Sequence, residues 1–132
     1  MAISNEAELV WQKALRKLGE ATQMPPKSFP GIVIVSSYFA MRHAAVATLL
    51  KKDGKAPSAE TEIIARFGVV VGTEGAEHGR AFNSVFDLRN AEDYDAVETP
   101  SSEEAAGACS AAKAFIAYCS QTFGFPLVAK SL

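Results

Sequence analysis

Apolar residues recur along most of the chain at spacings of three and four, the period of one buried helix face. Trp11, Leu15 and Leu18 give the first such run, with Asn5 and Glu8 placed as a capping box and Gly19 as its end. Three prolines within Met24–Gly31 forbid a continuous helix there and mark a connector. The next run, Ile32 to Lys52, opens on Ile32-Val33-Ile34-Val35, which would suit a strand equally well. Its continuation through Tyr38, Phe39, Ala45, Val46 and Leu49 keeps the helical period, and Ala40, Ala44, Ala45 and Ala47 are strong helix formers that permit close packing. Lys51, Lys52 and Gly54 supply the cations and the stop expected at a helix C-terminus. This run predicts the central, most buried helix.

Ser58 stands where it could cap a third helix with the stripe Ile63, Ile64, Phe67, Val70 and Val71. Gly72 and Gly75 break the pattern, and a fourth helix is predicted from Ala76 to Arg89, with Phe82 and Phe86 on its core face. The polar stretch from Asn90 to Pro100 reads as a long acidic loop. Ser101 and Glu104 form a second capping box, opening a helix through Ala112, Phe115, Ile116 and Cys119 to about Thr122, with Gly124 and Pro126 beyond. The fold class that follows is all-α, an antiparallel bundle of about five helices around a four-helix up-down core, as one domain over residues 1–132.

Composition agrees with a single packed domain, since 48% of the 132 residues are hydrophobic. Thirteen basic against fifteen acidic residues, a formal charge of −2, argues against non-specific wrapping of DNA. The cations that do cluster are Lys13, Arg16 and Lys17, and Lys51, Lys52 and Lys55, both read as solvated helix ends or faces. Cys109 and Cys119 lie ten residues apart in one helical pattern, about 15 Å along the axis, too far to pair. They read as reduced, buried thiols of a cytoplasmic protein. The N-terminus lacks a secretory pattern, and Ser36, Ser37, Arg42 and His43 interrupt the longest apolar stretch, which argues against a membrane span. No metal-ligating spacing, phosphate-binding glycine loop or cofactor motif is evident, so neither a metal nor a cofactor is expected.

Candidate chemistry concentrates at Arg89-Asn90-Ala91-Glu92-Asp93-Tyr94-Asp95. An arginine on a packed helix with its guanidinium near solvent can hold a phosphate; the same arginine, paired to Glu92, Asp93 or Asp95, would merely pin a loop. Arg42 and His43 raise a second question, because they interrupt an apolar helix and so should face a polar pocket or a partner subunit. There Arg42 either pairs with a carboxylate or joins Tyr38 in a binding surface.

The segments Tyr38-Phe39-Ala40-Met41-Arg42-His43-Ala44-Ala45, Phe67-Gly68, Gly79 to Arg89, and Ala91-Glu92-Asp93-Tyr94-Asp95 together resemble HEPN domains, nearest to their compact single-domain prokaryotic branch. The resemblance covers roughly Ile32 to Tyr118. It implies a helical bundle that forms homodimers and, for many members, metal-independent RNA cleavage as the toxin of a toxin–antitoxin pair whose partner is a small nucleotidyltransferase. The site pattern of the family is Arg, four to six residues, then His. Arg89 matches the Arg, but Tyr94 stands after the four-residue gap and no His follows in the chain.

That departure bears on chemistry. Histidine titrates near neutrality, at about 6.5, whereas tyrosine, at about 10, is a poor base. Proton transfer by a placed side chain contributes about 10²–10⁴-fold to rate, so the replacement favours binding over turnover. His43 and His78 offer no obvious substitute; His78 lies about 16 Å along its own helix from Arg89. Three readings therefore stand. One is a nucleotide- or RNA-binding partner of a nucleotidyltransferase, with Arg89, Asp95, Arg42 and Tyr38 as ligand-binding residues. Another is an active ribonuclease using Arg89 and Tyr94 with Asp93, and the third is a non-catalytic dimerisation module.

Overall fold

A computed structural model describes residues 2–94 and 100–128, with the side chains of residues 6–91 and 100–128. Among these residues there are five helices and no strand: α1 (Ala2–Gln23), α2 (Pro30–Asp53), α3 (Glu60–Val71), α4 (Ala76–Tyr94) and α5 (Ser102–Phe123). The all-α bundle expected from the apolar period is therefore the observed fold.

The central element is α2, which packs against every other helix. Its residues Val33, Ile34, Tyr38, Ala40, Met41, Ala44, Ala45, Ala47 and Leu49 are all fully buried. The four alanines keep neighbouring backbones close, and the one buried threonine, Thr48, satisfies its hydroxyl on the Ala44 carbonyl at 2.9 Å. By length and composition α2 could cross a membrane. Here its apolar surface is covered by the rest of the bundle instead. Pro30 and Gly31 belong to this helix and not to the connector, because a proline fits the first helical turn, where its missing N–H has no partner to lose. The connector of residues 24–29 is short, so the closely packed α1 and α2 form a helical hairpin.

Helix ends follow the predicted signals in some places and depart from them in others. Gly54 and Gly124 end α2 and α5 with φ of 78° and 77°, a left-handed cap that glycine adopts without strain. The Ser101–Glu104 capping box is present, with both reciprocal bonds at 3.0 Å. Asn5, in contrast, lies inside α1, which also runs past Gly19 to Gln23. The residue preceding α3 is Ala59 rather than Ser58, with no side-chain cap; Glu60 and Glu62 in its first turn complement the helix dipole instead. The largest departure is at α4. It does not end at Arg89 but continues to Tyr94, since Ala91 and Glu92 are good helix formers and nothing in Asn90–Tyr94 breaks the backbone.

The core is joined by aromatic rings from four helices. Phe67 lies 4.7 Å from Phe115, Phe115 is 5.3 Å from Phe82, and Phe82 is 6.1 Å from Tyr38. Trp11 stacks on Phe125 at 4.5 Å and donates its indole N–H to the Pro126 carbonyl, which fastens the segment after α5 to α1. Cys109 and Cys119 are free and buried, and burial pushes the Cys119 thiol up to about 12.

Phe82 and Phe86 share the inner face of α4, but only Phe82 is fully buried; Phe86 is partly exposed at the edge of Tyr38. Phe82→Ala is therefore expected to lower the unfolding free energy by about 3–5 kcal/mol, and Phe86→Ala by clearly less. Urea denaturation of the two variants checks the order, and equal losses would mean that the edge of α4 is as deeply packed as its centre.

Candidate functional site

Tyr38, Phe39, Arg42 and His43 lie within two turns of α2, so α2 presents a phenol, a ring, a cation and an imidazole along one stretch of helix. The first turn of α3 brings Glu60 against them. Arg42 Nε donates to both Glu60 carboxylate oxygens, at 2.9 and 3.0 Å, and the Tyr38 hydroxyl donates to the same carboxylate. Arg42 is thus ion-paired on a neighbouring helix, with side chains 23% and 32% exposed. Glu60 is the site residue that sequence reasoning missed. Its separation of 18 and 22 residues from its partners leaves no local pattern, and its acidic place in a first helical turn has an ordinary explanation.

Helix α4 contributes Arg89. Its guanidinium lies 5.4 Å from the centroid of Tyr38 and 5.6 Å from that of Phe39, within the range of cation–π attraction. Arg89 thus lies against the ring of Tyr38, whose hydroxyl shares the Glu60 carboxylate with Arg42. The sequence-predicted residues Arg89, Arg42 and Tyr38 are brought together. Asp93 and Tyr94 belong to the last turn of α4, five residues or fewer beyond Arg89, and their side chains lie outside the described residues. Asp95 lies outside the described residues altogether. Arg89 itself stands within α4, not at the junction of a helix with a loop.

The protonation states limit what this cluster can do. Burial first, and then the hydrogen bond to Glu60 and its charge, raise the Tyr38 phenol far above its ordinary range, so it stays neutral and donates. His43 is partly buried, and its pKa falls to about 4, chiefly through burial and then through the charges of Arg42, Lys13 and Lys17; Glu60 acts in the opposite sense. At neutral pH the described cluster is one carboxylate, two guanidiniums, a neutral phenol and a neutral imidazole. Neither the Tyr38 phenol nor the His43 imidazole is poised to exchange protons near pH 7.

His78 is placed elsewhere. It stacks on Tyr118 at 4.2 Å and lies 3.6 Å from Glu77, joining the start of α4 to α5. Among the described residues no group of three or more His, Cys, Asp or Glu side chains could hold a metal ion. Arg42 also borders a groove of about 350 Å³ with Glu6, Val10, Val46, Leu50 and Pro57, so this face of α2 opens toward α1.

The lowered pKa of His43 gives a stability signature. Between about pH 6.5 and 4 the unfolded chain binds a proton at this residue that the folded chain does not, so its contribution is full above pH 6.5 and is lost as pH falls toward 4. His43→Gln should remove on the order of 1–3 kcal/mol of the difference in unfolding free energy between pH 7 and pH 4.5. Chemical denaturation of parent and variant at the two pH values measures it. An identical pH slope in both proteins would mean that His43 titrates as an ordinary surface histidine.

No curated protein is similar enough to this chain to count as a relative. The model of the HEPN domain family, however, matches residues 7–122, nearly the whole bundle and every described residue of the Arg42–Glu60–Arg89 cluster. The chain belongs to the HEPN domain family.

Proposed function

We propose that this HEPN domain binds the phosphate of a nucleotide or RNA through Arg89, as a cytoplasmic homodimer acting beside a nucleotidyltransferase in a toxin–antitoxin type pair. The observation that carries the reading is the seating of Arg89 on the Tyr38 and Phe39 rings, next to an Arg42 already neutralised by Glu60. A guanidinium fixed on a helix by ring faces loses little freedom on meeting an anion, and its planar fork matches phosphate oxygens.

Binding is favoured over cleavage by the same chemistry. Tyr94 stands where the family pattern expects His, and neither Tyr38 nor His43 has a pKa near the working range of a general acid or base. Arg89 would hold and orient the phosphodiester, with little proton transfer to drive its breakage. Tyr38 and Arg42 support that role by shaping the seat of Arg89 and by adding positive potential. Asp93 and Asp95, four and six residues beyond Arg89 in the sequence, are the carboxylates that would adjust it.

Arg89→Ala should abolish binding of labelled nucleotide and RNA while lowering unfolding free energy by no more than about 2 kcal/mol, the value of a partly desolvated cation–π contact. Fluorescence titration and urea denaturation on the same preparations read both. RNA cleavage by the parent, lost in Arg89→Ala and in Tyr94→Phe, would replace this reading with the ribonuclease one. No binding of RNA or nucleotide by the parent, and no cleavage even by Tyr94→His, would leave the dimerisation module.

The dimer itself is tested by light scattering coupled to size exclusion. A mass near twice 14.0 kDa is expected at micromolar concentration, and a monomer mass up to millimolar would contradict it.

A further inference from the structure

Glu60 opens α3, the shortest of the five helices, which packs only on α2 and α4 among the described residues. Two acids stand in its first turn, and either would complement the helix dipole. Glu62 is exposed, whereas the Glu60 carboxylate turns onto α2, where Arg42 Nε donates to both of its oxygens, at 2.9 and 3.0 Å, and the Tyr38 hydroxyl donates to one of them. The Glu60 side chain is still 32% exposed, so burial alone does not dictate this placement.

For Arg89 the partner that matters is Tyr38. Its ring is fully buried, with Phe82 at 6.1 Å and Phe86 at 5.8 Å on α4 and Phe39 at 5.3 Å on its own helix, and the Arg89 guanidinium lies 5.4 Å from its centroid. Ring contacts hold the apolar body of a tyrosine but supply no partner for its hydroxyl. Glu60 is the acceptor that the fold provides. Without it the hydroxyl of a buried ring would be left unsatisfied, which costs more than the bond itself contributes, and the ring would have to turn toward another acceptor or water. The surface on which Arg89 lies would turn with it.

We propose that Glu60 is the positioning residue of the Arg89 site: its carboxylate anchors the Tyr38 hydroxyl and so holds the ring at the orientation that seats the Arg89 guanidinium for a phosphate. The inference rests on the reading of Arg89 as a phosphate ligand and names the residue that builds its seat. It runs against the simplest electrostatic expectation. A carboxylate close to an anion site repels the anion, and its removal would also release Arg42, so on charge alone Glu60→Ala should tighten binding. Positioning predicts the opposite sign, because an Arg89 without its seat must be ordered when the anion binds.

Isothermal titration of the full chain with uridine monophosphate reads the sign. Glu60→Ala and Tyr38→Phe should each weaken binding by about 3- to 10-fold, the cost of ordering one long side chain. The double variant should bind as the weaker single one does, since both changes break the same contact. Glu60→Gln keeps an acceptor for the phenol without the charge, and should stay close to the parental affinity. Arg66→Ala removes another ion pair between α3 and α2, that of Arg66 with Asp53 at 2.8 Å, and should leave binding unchanged. Tyr38→Phe keeps the packed ring, so it decides the question should Glu60→Ala fail to fold.

Binding by Glu60→Ala as tight as the parent's or tighter, with Arg89→Ala still abolishing it, would overturn the positioning role and leave the Arg89 reading intact. Additive losses in the double variant would overturn it too, because Glu60 would then act apart from Tyr38. So would an equal loss in Arg66→Ala, which would make the docking of α3 responsible and not the carboxylate. No binding of uridine monophosphate by the parent, or parental binding by Arg89→Ala, would overturn both readings.

Discussion

Burial of α2 is the constraint on which the rest of the molecule depends. A helix of 24 residues with apolar side chains on most of its circumference cannot stand against water on any broad side, so four other helices must close round it. Alanine at positions 40, 44, 45 and 47 lets them approach, and the rings of Phe67, Phe82 and Phe115 fill the space between α3, α4 and α5. The charged side chains of α2 then have to be accommodated where the surrounding helices part, while Thr48 is satisfied inside the helix. The candidate site is the result: Arg42 and His43, half-buried, and the buried Tyr38 lie close together on the central helix, and Glu60 and Arg89 are brought to them by the helices that cover the remainder.

Within that cluster the carboxylate of Glu60 divides the labour between the two arginines. It takes Arg42 Nε with both oxygens and the Tyr38 hydroxyl as well, which fixes the ring on which Arg89 lies. A partly buried arginine without such a partner would be costly, so Arg42 is satisfied within the fold. Arg89 lies against the ring faces of Tyr38 and Phe39, which attract a cation. The two residues have the same chemistry and, on the proposed reading, different roles, Arg42 in the fold and Arg89 toward a ligand.

Much of this was legible in the sequence, for reasons that differ from element to element. The five helices follow from apolar period, and the ends at Gly54, Gly124 and Ser101 follow from backbone chemistry that acts over three or four residues. Arg89 and Arg42 stand out because each interrupts or terminates an apolar pattern, and Tyr38 is an apolar-period residue whose hydroxyl sits one turn before Arg42. The helical continuation of α4 through Asn90–Tyr94 was not legible, since a run of polar and acidic residues reads as a loop when it has no apolar face to mark the period, although its backbone propensity is adequate for a helix. Glu60 was invisible for a different reason. Its partners lie on another helix, and only the α2–α3 turn brings them together.

The central claim is that Arg89, held on the Tyr38 and Phe39 rings, meets the phosphate while Arg42 stays with Glu60. Nitrogen-15 spectra of the arginine Nε–Hε groups, recorded while uridine monophosphate is added, observe the two side chains separately. A saturable shift of the Arg89 resonance, with that of Arg42 holding near its starting position, is the predicted result. An Arg89 resonance that stays still while Arg42 or no arginine responds would contradict the account.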